Sequence, residues 1–212
     1  IITCDDFGIC KQRDRGIYKC LKEGVATSAS IMANGESAHE AIELISDIIN
    51  CKNISIGLHL NLTEGYPLSN PNQIRSLLTD EGMFLGKHGF RKAWETNQIN
   101  TNEIMFEINT QLNWFITHFK HPPPYVDSHQ HIHVLPHLCS VIADILCNYS
   151  INYVRIPEHR EDDDIENKLC DVCLTISLYA KTARLEYTKR GIVSPNIFIG
   201  ILFCGSTSSC LL

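Results

Sequence analysis

The stretch VDSHQHIH at residues 126–133 brings one carboxylate and three imidazoles within seven residues of each other. If it continues as a β-strand, alternate side chains face the same way, so Asp127, His129, His131 and His133 share one face. That face cannot be a plain apolar core, because burying titratable groups without partners costs several kcal/mol. The stretch therefore indicates either a metal site at a strand end or a histidine-rich turn on the surface.

On both sides of this stretch, short apolar runs alternate with helical patterns, which is typical of βα units in an α/β fold. Connections as long as the Pro- and Gly-rich residues 63–90 tend to be functional. We expect a single domain over residues 1–204 and an irregular tail over 205–212. The patterns predict strands over residues 1–4, 25–33, 54–62, 125–128, 151–156 and 196–203, and helices over residues 13–23, 37–49, 101–119, 136–149 and 178–190.

The composition bounds the partners and the compartment. A net charge of −6 with scattered Lys and Arg residues gives no basic surface for nucleic acid. No apolar run approaches the roughly 20 residues that cross a bilayer, so we expect neither a nucleic-acid nor a membrane partner. The 10 cysteines lack the dense framework of a secreted scaffold and predict reduced thiols in the cytoplasm. The single CxxC at residues 170–173 is more simply a coincidence than half a metal site or a redox pair.

Two more polar clusters come where predicted strands end. Asp5 and Asp6 follow the first strand, and neighbouring strand residues point to opposite faces, so one carboxylate could bind a cation while the other accepts a proton. A solvated Asp-Asp turn is the alternative. His59 interrupts the apolar run GLHLNL at residues 57–62 and could equally be a satisfied core histidine. In α/β barrels, residues from several strand ends build the active site, and one Asp with two His residues would leave coordination positions open for water and substrate.

Several motifs together resemble a known family. DDFG at 5–8, VATS at 25–28, ANG at 33–35, GLHLNL at 57–62, DSHQHIH at 127–133 and RIP at 155–157 are similar, in order and spacing, to the motifs of the YdjC-like carbohydrate deacetylases. That family includes the chitooligosaccharide deacetylases and is related to the polysaccharide deacetylase superfamily. The resemblance runs from residue 1 to about residue 204 and implies a (β/α) barrel of the polysaccharide deacetylase type.

The resemblance also implies an activity and a site. It implies a metal-dependent hydrolase that removes acetyl groups from N-acetylated oligosaccharides, with Asp5 as the catalytic base and Arg155 as the residue that steers it. The implied ligands of one divalent ion are Asp6, His59 and His129. Magnesium is the family's usual ion, although two imidazoles and a carboxylate also suit zinc or another transition metal. The resemblance leaves His131, His133, Asn61 and Asp127 to contact the substrate or orient the ligands, and it leaves a homo-oligomer open.

One departure from the family pattern concerns the general acid. The family carries it on a histidine in a Met-x-His-Pro-Gly type segment of a late strand, and no such segment follows Phe203 here. A complete barrel has eight strands and about 250 residues. We therefore expect an incomplete barrel of about six strands, in a fragment or truncated splice form whose turnover is doubtful.

Two other functions stay open at this level. The first is a non-catalytic fragment that uses the same fold to bind metal or glycan, or that is simply an unstable partial product. The second is a metallo-phosphoesterase on a similar barrel, which would need basic residues near the site for the phosphate. Apart from Arg155, the sequence offers no obvious candidate for that role.

Overall fold

A parallel β-sheet organises the chain. The computed structural model describes residues 1–49, 53–158 and 171–200. Within them, neighbouring strands pair in parallel in the order β1-β2-β3-β4. Because each crossover contains a helix, the carboxyl ends of all these strands meet at one edge. The strands are β1 (Thr3–Phe7), β2 (Ser28–Ile31), β3 (Ser55–Leu60) and β4 (Val126–Ser128), and the first two crossovers contain α1 (Lys11–Glu23) and α2 (Ala38–Ile45).

The prediction of about six strands is wrong for the described residues, whose sheet has four. The predicted fifth strand contributes only isolated parallel bridges, from Val154 to Val126 and from Tyr153 to Val193. Because β4 ends at Ser128, residues 151–156 have too short a partner strand to form a continuous ladder of hydrogen bonds. Residues 196–200 of the predicted sixth strand form no β-strand, and the rest of that predicted strand lies outside the described residues. Closure into a barrel therefore stays a prediction.

The remaining helices pack around this sheet. The helix predicted over 101–119 is confirmed as α4, and the stripe of Ile104, Ile108, Leu112 and Phe115 is buried in the core. A helix at 86–95 was not predicted, because Gly86 and Gly89 interrupt its pattern. The helices are α3 (Gly86–Glu95), α4 (Thr101–Phe119), α5 (Leu138–Asn148) and α6 (Asp171–Lys189), and short 3-10 turns cover Pro71–Gln73 and Arg75–Leu77.

Tyr125 ties three strands together just before β4. Its hydroxyl lies 2.6 Å from Ser28 Oγ and donates to the Ala29 carbonyl at 2.9 Å. Its ring crosses β3 at Gly57, where an added Cβ would come within 2.4 Å of the ring. Glycine at this position is therefore required by the close approach of an aromatic ring to the strand backbone.

Some predictions fall outside the described residues. These are the 205–212 tail and the CxxC pair, since Cys170 is not among the described residues. No helix in the described ranges combines the length and the apolarity needed to cross a bilayer.

Candidate metal centre

The backbone at the end of β1 turns both carboxylates toward one region. The pairing register shifts between Cys4 and Phe7, and Asp6 has φ 59°, a left-handed conformation that Asp tolerates better than most residues. Asp6 Oδ1 lies 3.1 Å from His59 Nε2, and a carboxylate oxygen of Asp5 lies within 4.8 Å of ligand atoms of His59 and Asp127. The prediction that Asp5 and Asp6 point to opposite faces is therefore wrong, because the irregularity breaks the strand alternation.

A buried carboxylate holds the turn that follows. Asp14, on α1, accepts hydrogen bonds from the Gly8 amide at 2.7 Å and the Ser37 hydroxyl at 2.5 Å. Burial raises the pKa of Asp14, and these two hydrogen bonds offset part of that rise. Gly35 packs against the same turn so closely that a Cβ there would lie 2.2 Å from the Gly8 carbonyl oxygen. The left-handed turn at Asp6 is thus fixed by its neighbours.

The histidine-rich stretch does not continue as a strand. A 3-10 segment with a kink covers His129–Val134, and Gln130 and His131 have φ of 54° and 57°. The prediction of four polar side chains on one strand face is therefore wrong. His129 joins the carboxylates from β1, while Asp127 is fully buried beneath them.

Asp6 stands at the centre of the cluster. Its Oδ1 lies 2.8 Å from His129 Nδ1 and 3.1 Å from His59 Nε2, and these three ligand atoms all lie within 4.8 Å of one another. Burial favours the neutral acid, but hydrogen bonds to His129 and His59 hold the pKa of Asp6 well below its usual range. Arg13, from the first turn of α1, forms an ion pair with the other oxygen, Oδ2.

Asp127 fixes the ring of His59 through the nitrogen that faces away from Asp6. Its Oδ1 lies 2.6 Å from His59 Nδ1, and Ser30 Oγ lies 3.1 Å from the same nitrogen. Burial lowers the pKa of His59, but the charge and hydrogen bond of Asp127, together with Asp6, raise it to about 9. A carboxylate bound to one ring nitrogen leaves the other nitrogen facing the ligand position, which is the usual support of a metal-binding histidine.

Arg155 connects two acids, the partly exposed Asp5 and the fully buried Asp127. Its guanidinium donates two hydrogen bonds to Asp5, at 2.7 and 2.6 Å, and its Nη2 lies 2.9 Å from Asp127 Oδ2. In the described part of the chain no donor meets Asp127 Oδ2 in hydrogen-bond geometry, so that contact is an ion pair. Burial opposes the charge on Arg155, but Asp127 and Asp5 raise its pKa, and Arg155 with His59 lowers the pKa of Asp127.

The other histidines of the stretch lie apart from the ligand cluster. His133 is fully buried, with Nδ1 2.5 Å from Ser128 Oγ and Nε2 donating to the Arg155 carbonyl at 2.6 Å. Burial lowers the pKa of His133 to about 4, so the ring is neutral and joins two chain segments. The ring of His131 lies 6.5 Å from that of Phe198, and burial lowers its pKa well below the usual value.

Asn61 supports the loop after β3. Its side chain accepts from the Thr63 and Glu64 amides at 3.0 and 3.1 Å and donates to the Glu64 carbonyl at 2.7 Å. Glu64 in turn reaches His129, with Oε2 2.7 Å from Nε2. Sequence reasoning missed Glu64 and Arg13. The polar run TEG directly after the GLHLNL motif was the available signal for Glu64, whereas Arg13 is one of several basic residues of its helix.

The residues of this centre fit a divalent cation. Asp6 Oδ1, His59 Nε2 and His129 Nδ1 supply one oxygen and two nitrogen donors that already converge, and each ring has a carboxylate on its other nitrogen. Three protein ligands leave positions for water and substrate, as in catalytic metal sites. This donor set does not distinguish zinc from other ions of its class.

Comparisons with known proteins identify the family of this chain. The family model described as YdjC-like protein matches residues 1–211. A carbohydrate deacetylase of Mus musculus is 35% identical over 209 residues, which cover 97% of this chain and 66% of the relative. A carbohydrate deacetylase of Xenopus laevis is 36% identical over 213 residues, which cover 99% of this chain and 68% of the relative. A chitooligosaccharide deacetylase of Yersinia enterocolitica is 34% identical over 159 residues, covering 75% and 59%.

A solved structure shares the fold. A protein of Enterococcus faecalis V583, described as a candidate cellobiose-phosphate cleavage protein, superposes with a TM-score of 0.71 at 24% identity, over 93% of this chain and 66% of that one. The chain spans about two thirds of the length of the carbohydrate deacetylases that it matches. The match of the family model over nearly the whole sequence shows that the chain belongs to the YdjC-like protein family.

Proposed function

We propose that this chain carries the metal centre and the catalytic base of a carbohydrate deacetylase, an enzyme that hydrolyses the acetamide group of N-acetylated oligosaccharides. One observation supports this most strongly: the Asp6, His59 and His129 donors converge beside a carboxylate, Asp5, that belongs to a separate ion pair. The names of the relatives support the choice of substrate class.

A bound divalent ion supplies a Lewis acid that polarises a carbonyl and lowers the pKa of a bound water. Asp6, His59 and His129 would hold this ion, and Asp127 keeps the His59 ring in place. Asp5 accepts the proton of the attacking water, for which its side chain is 37% exposed. Arg155 donates a hydrogen bond to each oxygen of Asp5 and so fixes the direction of both, which is the geometry that general base catalysis requires.

The leaving amine also needs a proton. We propose that the general acid belongs to a later segment of the family's barrel, as in relatives that carry the Met-x-His-Pro-Gly type segment. On this view the described strands would form one side of that barrel, and a version extended at its carboxyl end tests whether a later segment supplies the proton.

Acetate release from N-acetylglucosamine oligomers tests the activity. We would compare this chain, a version extended at its carboxyl end with the corresponding segment of a relative, and Asp5→Asn and Asp80→Asn variants of the extended version, each with Mg²⁺, Zn²⁺ or Co²⁺. The exposed Asp80 provides a control of equal charge change. Metal-dependent release that Asp5→Asn abolishes and Asp80→Asn preserves supports the proposal. A folded extended protein that releases no acetate with any ion contradicts it.

Two alternative functions have distinct outcomes. A non-catalytic protein would bind metal or chitooligosaccharide while even the extended version released no acetate. A metallo-phosphoesterase would hydrolyse p-nitrophenyl phosphate, which needs cations facing the phosphate. Among the described residues, Arg13 and Arg155 are the arginines that contact the site's carboxylates, and their pairing with those carboxylates disfavours this alternative.

A further inference from the structure

We propose that Glu64 is a positioning residue of the metal centre, which selects the nitrogen that His129 offers to the ion. This inference rests on the metal centre of the proposed function. Glu64 is not one of the three converging ligands, because its contact is with the far side of the His129 ring.

The two nitrogens of His129 have different partners. Nε2 lies 2.7 Å from Glu64 Oε2, and Nδ1 lies 2.8 Å from Asp6 Oδ1. A neutral imidazole carries one N–H and one lone pair. When Nε2–H donates to Glu64, the lone pair is on Nδ1 and faces the position beside Asp6 where the ion would be bound.

His59 is arranged in the same way with its nitrogens exchanged. Asp127 contacts Nδ1 of His59, which leaves Nε2 facing Asp6, whereas Glu64 contacts Nε2 of His129 and leaves Nδ1. The two rings meet edge to face, with centroids 5.6 Å apart and planes at 73°. Each proposed ligand histidine therefore has its own carboxylate. Glu64 contacts the nitrogen of His129 that faces away from the ion position, as Asp127 does for His59.

The loop around Glu64 is built to hold its backbone. Asn61 binds both the amide and the carbonyl of Glu64, at 3.1 and 2.7 Å. Asn34, from the loop after β2, donates to the carbonyls of Glu64 and Tyr66 at 3.2 and 2.9 Å. A residue whose backbone is fixed at both polar groups can direct its side chain at one target, and here the target is His129.

Helix α4 anchors the same loop from the buried side. Gln111 donates to the Asn61 carbonyl at 2.6 Å and accepts from the Asn61 amide at 3.1 Å. Glu107, fully buried, accepts from Gln111 and from the amides of Ser69 and Leu68. Glu107 and Gln111 are the polar residues on the buried face of α4, and the loop that they hold explains their presence there.

The exposure of the two carboxylates differs. The Asp127 side chain is fully buried, whereas 54% of the Glu64 side chain is exposed. Because water competes for Glu64, its loss should weaken metal binding near the lower end of the roughly 10- to 100-fold range seen when such supporting carboxylates are removed.

Titration calorimetry with Zn²⁺ and with Co²⁺ tests this role on the full chain. We would compare wild type, Glu64→Gln, and Glu36→Gln, since Glu36 is an exposed glutamate in the neighbouring loop. We expect Glu64→Gln to weaken binding about tenfold and to shift the visible absorption bands of bound Co²⁺. Glu36→Gln should bind like wild type. A His129→Ala background supplies the decisive comparison, because there Glu64→Gln should cause no additional loss.

Each outcome has a defined meaning. If Glu64→Gln binds metal like Glu36→Gln while wild type binds one ion, the positioning role is wrong and the metal centre stands. If Glu64→Gln weakens binding as much in the His129→Ala background, Glu64 acts through the general charge of the site, which also overturns the role. If wild type binds neither ion, the metal centre of the proposed function is wrong and this inference is wrong with it.

Discussion

Arg155 binds both carboxylate oxygens of Asp5 across 150 residues of sequence, with Nη1–Oδ1 and Nη2–Oδ2 distances of 2.7 and 2.6 Å. The same guanidinium lies against Asp127, which supports His59. The Arg155 guanidinium thus links the proposed base to the residue that supports a proposed metal ligand. A substitution at Arg155 should therefore alter the positions of both Asp5 and His59.

Arg155→Lys should lower the turnover of the carboxyl-terminally extended protein. An ammonium cannot reproduce the two parallel hydrogen bonds, so Asp5 loses its fixed direction. We expect kcat to fall on the order of 100-fold, because small errors in the position of a reacting group carry penalties of that size. Steady-state acetate release measures this, with Arg75→Lys, at an exposed residue of a 3-10 turn, as the control. An unchanged kcat would show that Arg155 does not position Asp5 for catalysis.

His59→Ala should abolish the stabilisation of the chain by metal. A ligand that binds only the folded state stabilises it by about 2.7 kcal/mol at a free concentration 100 times its Kd. We expect added Zn²⁺ to raise the unfolding temperature of wild type and of the exposed control His88→Ala, and to leave His59→Ala unchanged. Differential scanning calorimetry with and without a chelator checks this. A His59→Ala variant that responds like His88→Ala would exclude His59 as a ligand.

His133 should make the metal-free protein sensitive to acid. Its pKa is about 4 in the folded chain, because burial opposes the charged ring, and about 6.5 when unfolded. Below pH 6.5 the unfolded chain binds a proton that the folded chain does not. This contribution to stability is therefore complete above pH 6.5 and is lost as the pH falls toward 4, by up to about 3 kcal/mol.

Urea unfolding between pH 7 and pH 4.5 measures this effect with a chelator present. Relative to wild type, His133→Gln should be less stable at pH 7 and should lose less stability on acidification, whereas the exposed control His88→Gln should follow wild type. If the His133→Gln and wild-type curves are parallel, the buried ring is not the source of the acid sensitivity.

Gly57→Ala should destabilise the sheet beneath the site. The added methyl would come within 2.4 Å of the Tyr125 ring, and the ring cannot move freely because its hydroxyl is bound to Ser28 and Ala29. Overpacking of this kind costs about 1–3 kcal/mol.

Gly16→Ala is the matched control for that substitution. Gly16 lies within α1, and a Cβ there meets nothing within 4 Å, so alanine should stabilise the helix by up to about 1 kcal/mol. Chemical unfolding of both variants measures the two free energies. Equal stabilities of Gly57→Ala and wild type would contradict the close packing of Tyr125.

The sequence predicted the parts of the fold that depend on local periodicity. Helix α4 was predicted over its whole length, because its apolar residues recur at helical spacing. The predicted sixth strand was wrong over residues 196–200, because an apolar run becomes a strand only where a partner strand extends beside it. The direction of Asp6 also escaped prediction, since Asp6 has a left-handed conformation and lies just before a turn whose Gly8 amide donates to Asp14 from another element.

The candidate site was only partly accessible from the sequence. The polar residues at strand ends located it, and the family resemblance supplied the ligand set of Asp6, His59 and His129. Spacing alone grouped His131 and His133 with His129, because it could not reveal that β4 stops at Ser128. Glu64 becomes recognisable only when the loop after β3 folds over the ring of His129.

The aspartate at position 6 has two opposed effects on the stability of the fold. Its backbone conformation is one that glycine adopts freely and that costs an aspartate about 1 kcal/mol. Glycine would relieve that cost, but it would also remove the partner of His59, His129 and Arg13, whose contacts favour the folded state because they hold the pKa of Asp6 low. The proposed metal ligand is therefore also a structural residue, and the strain at position 6 is offset by contacts that exist without any ion.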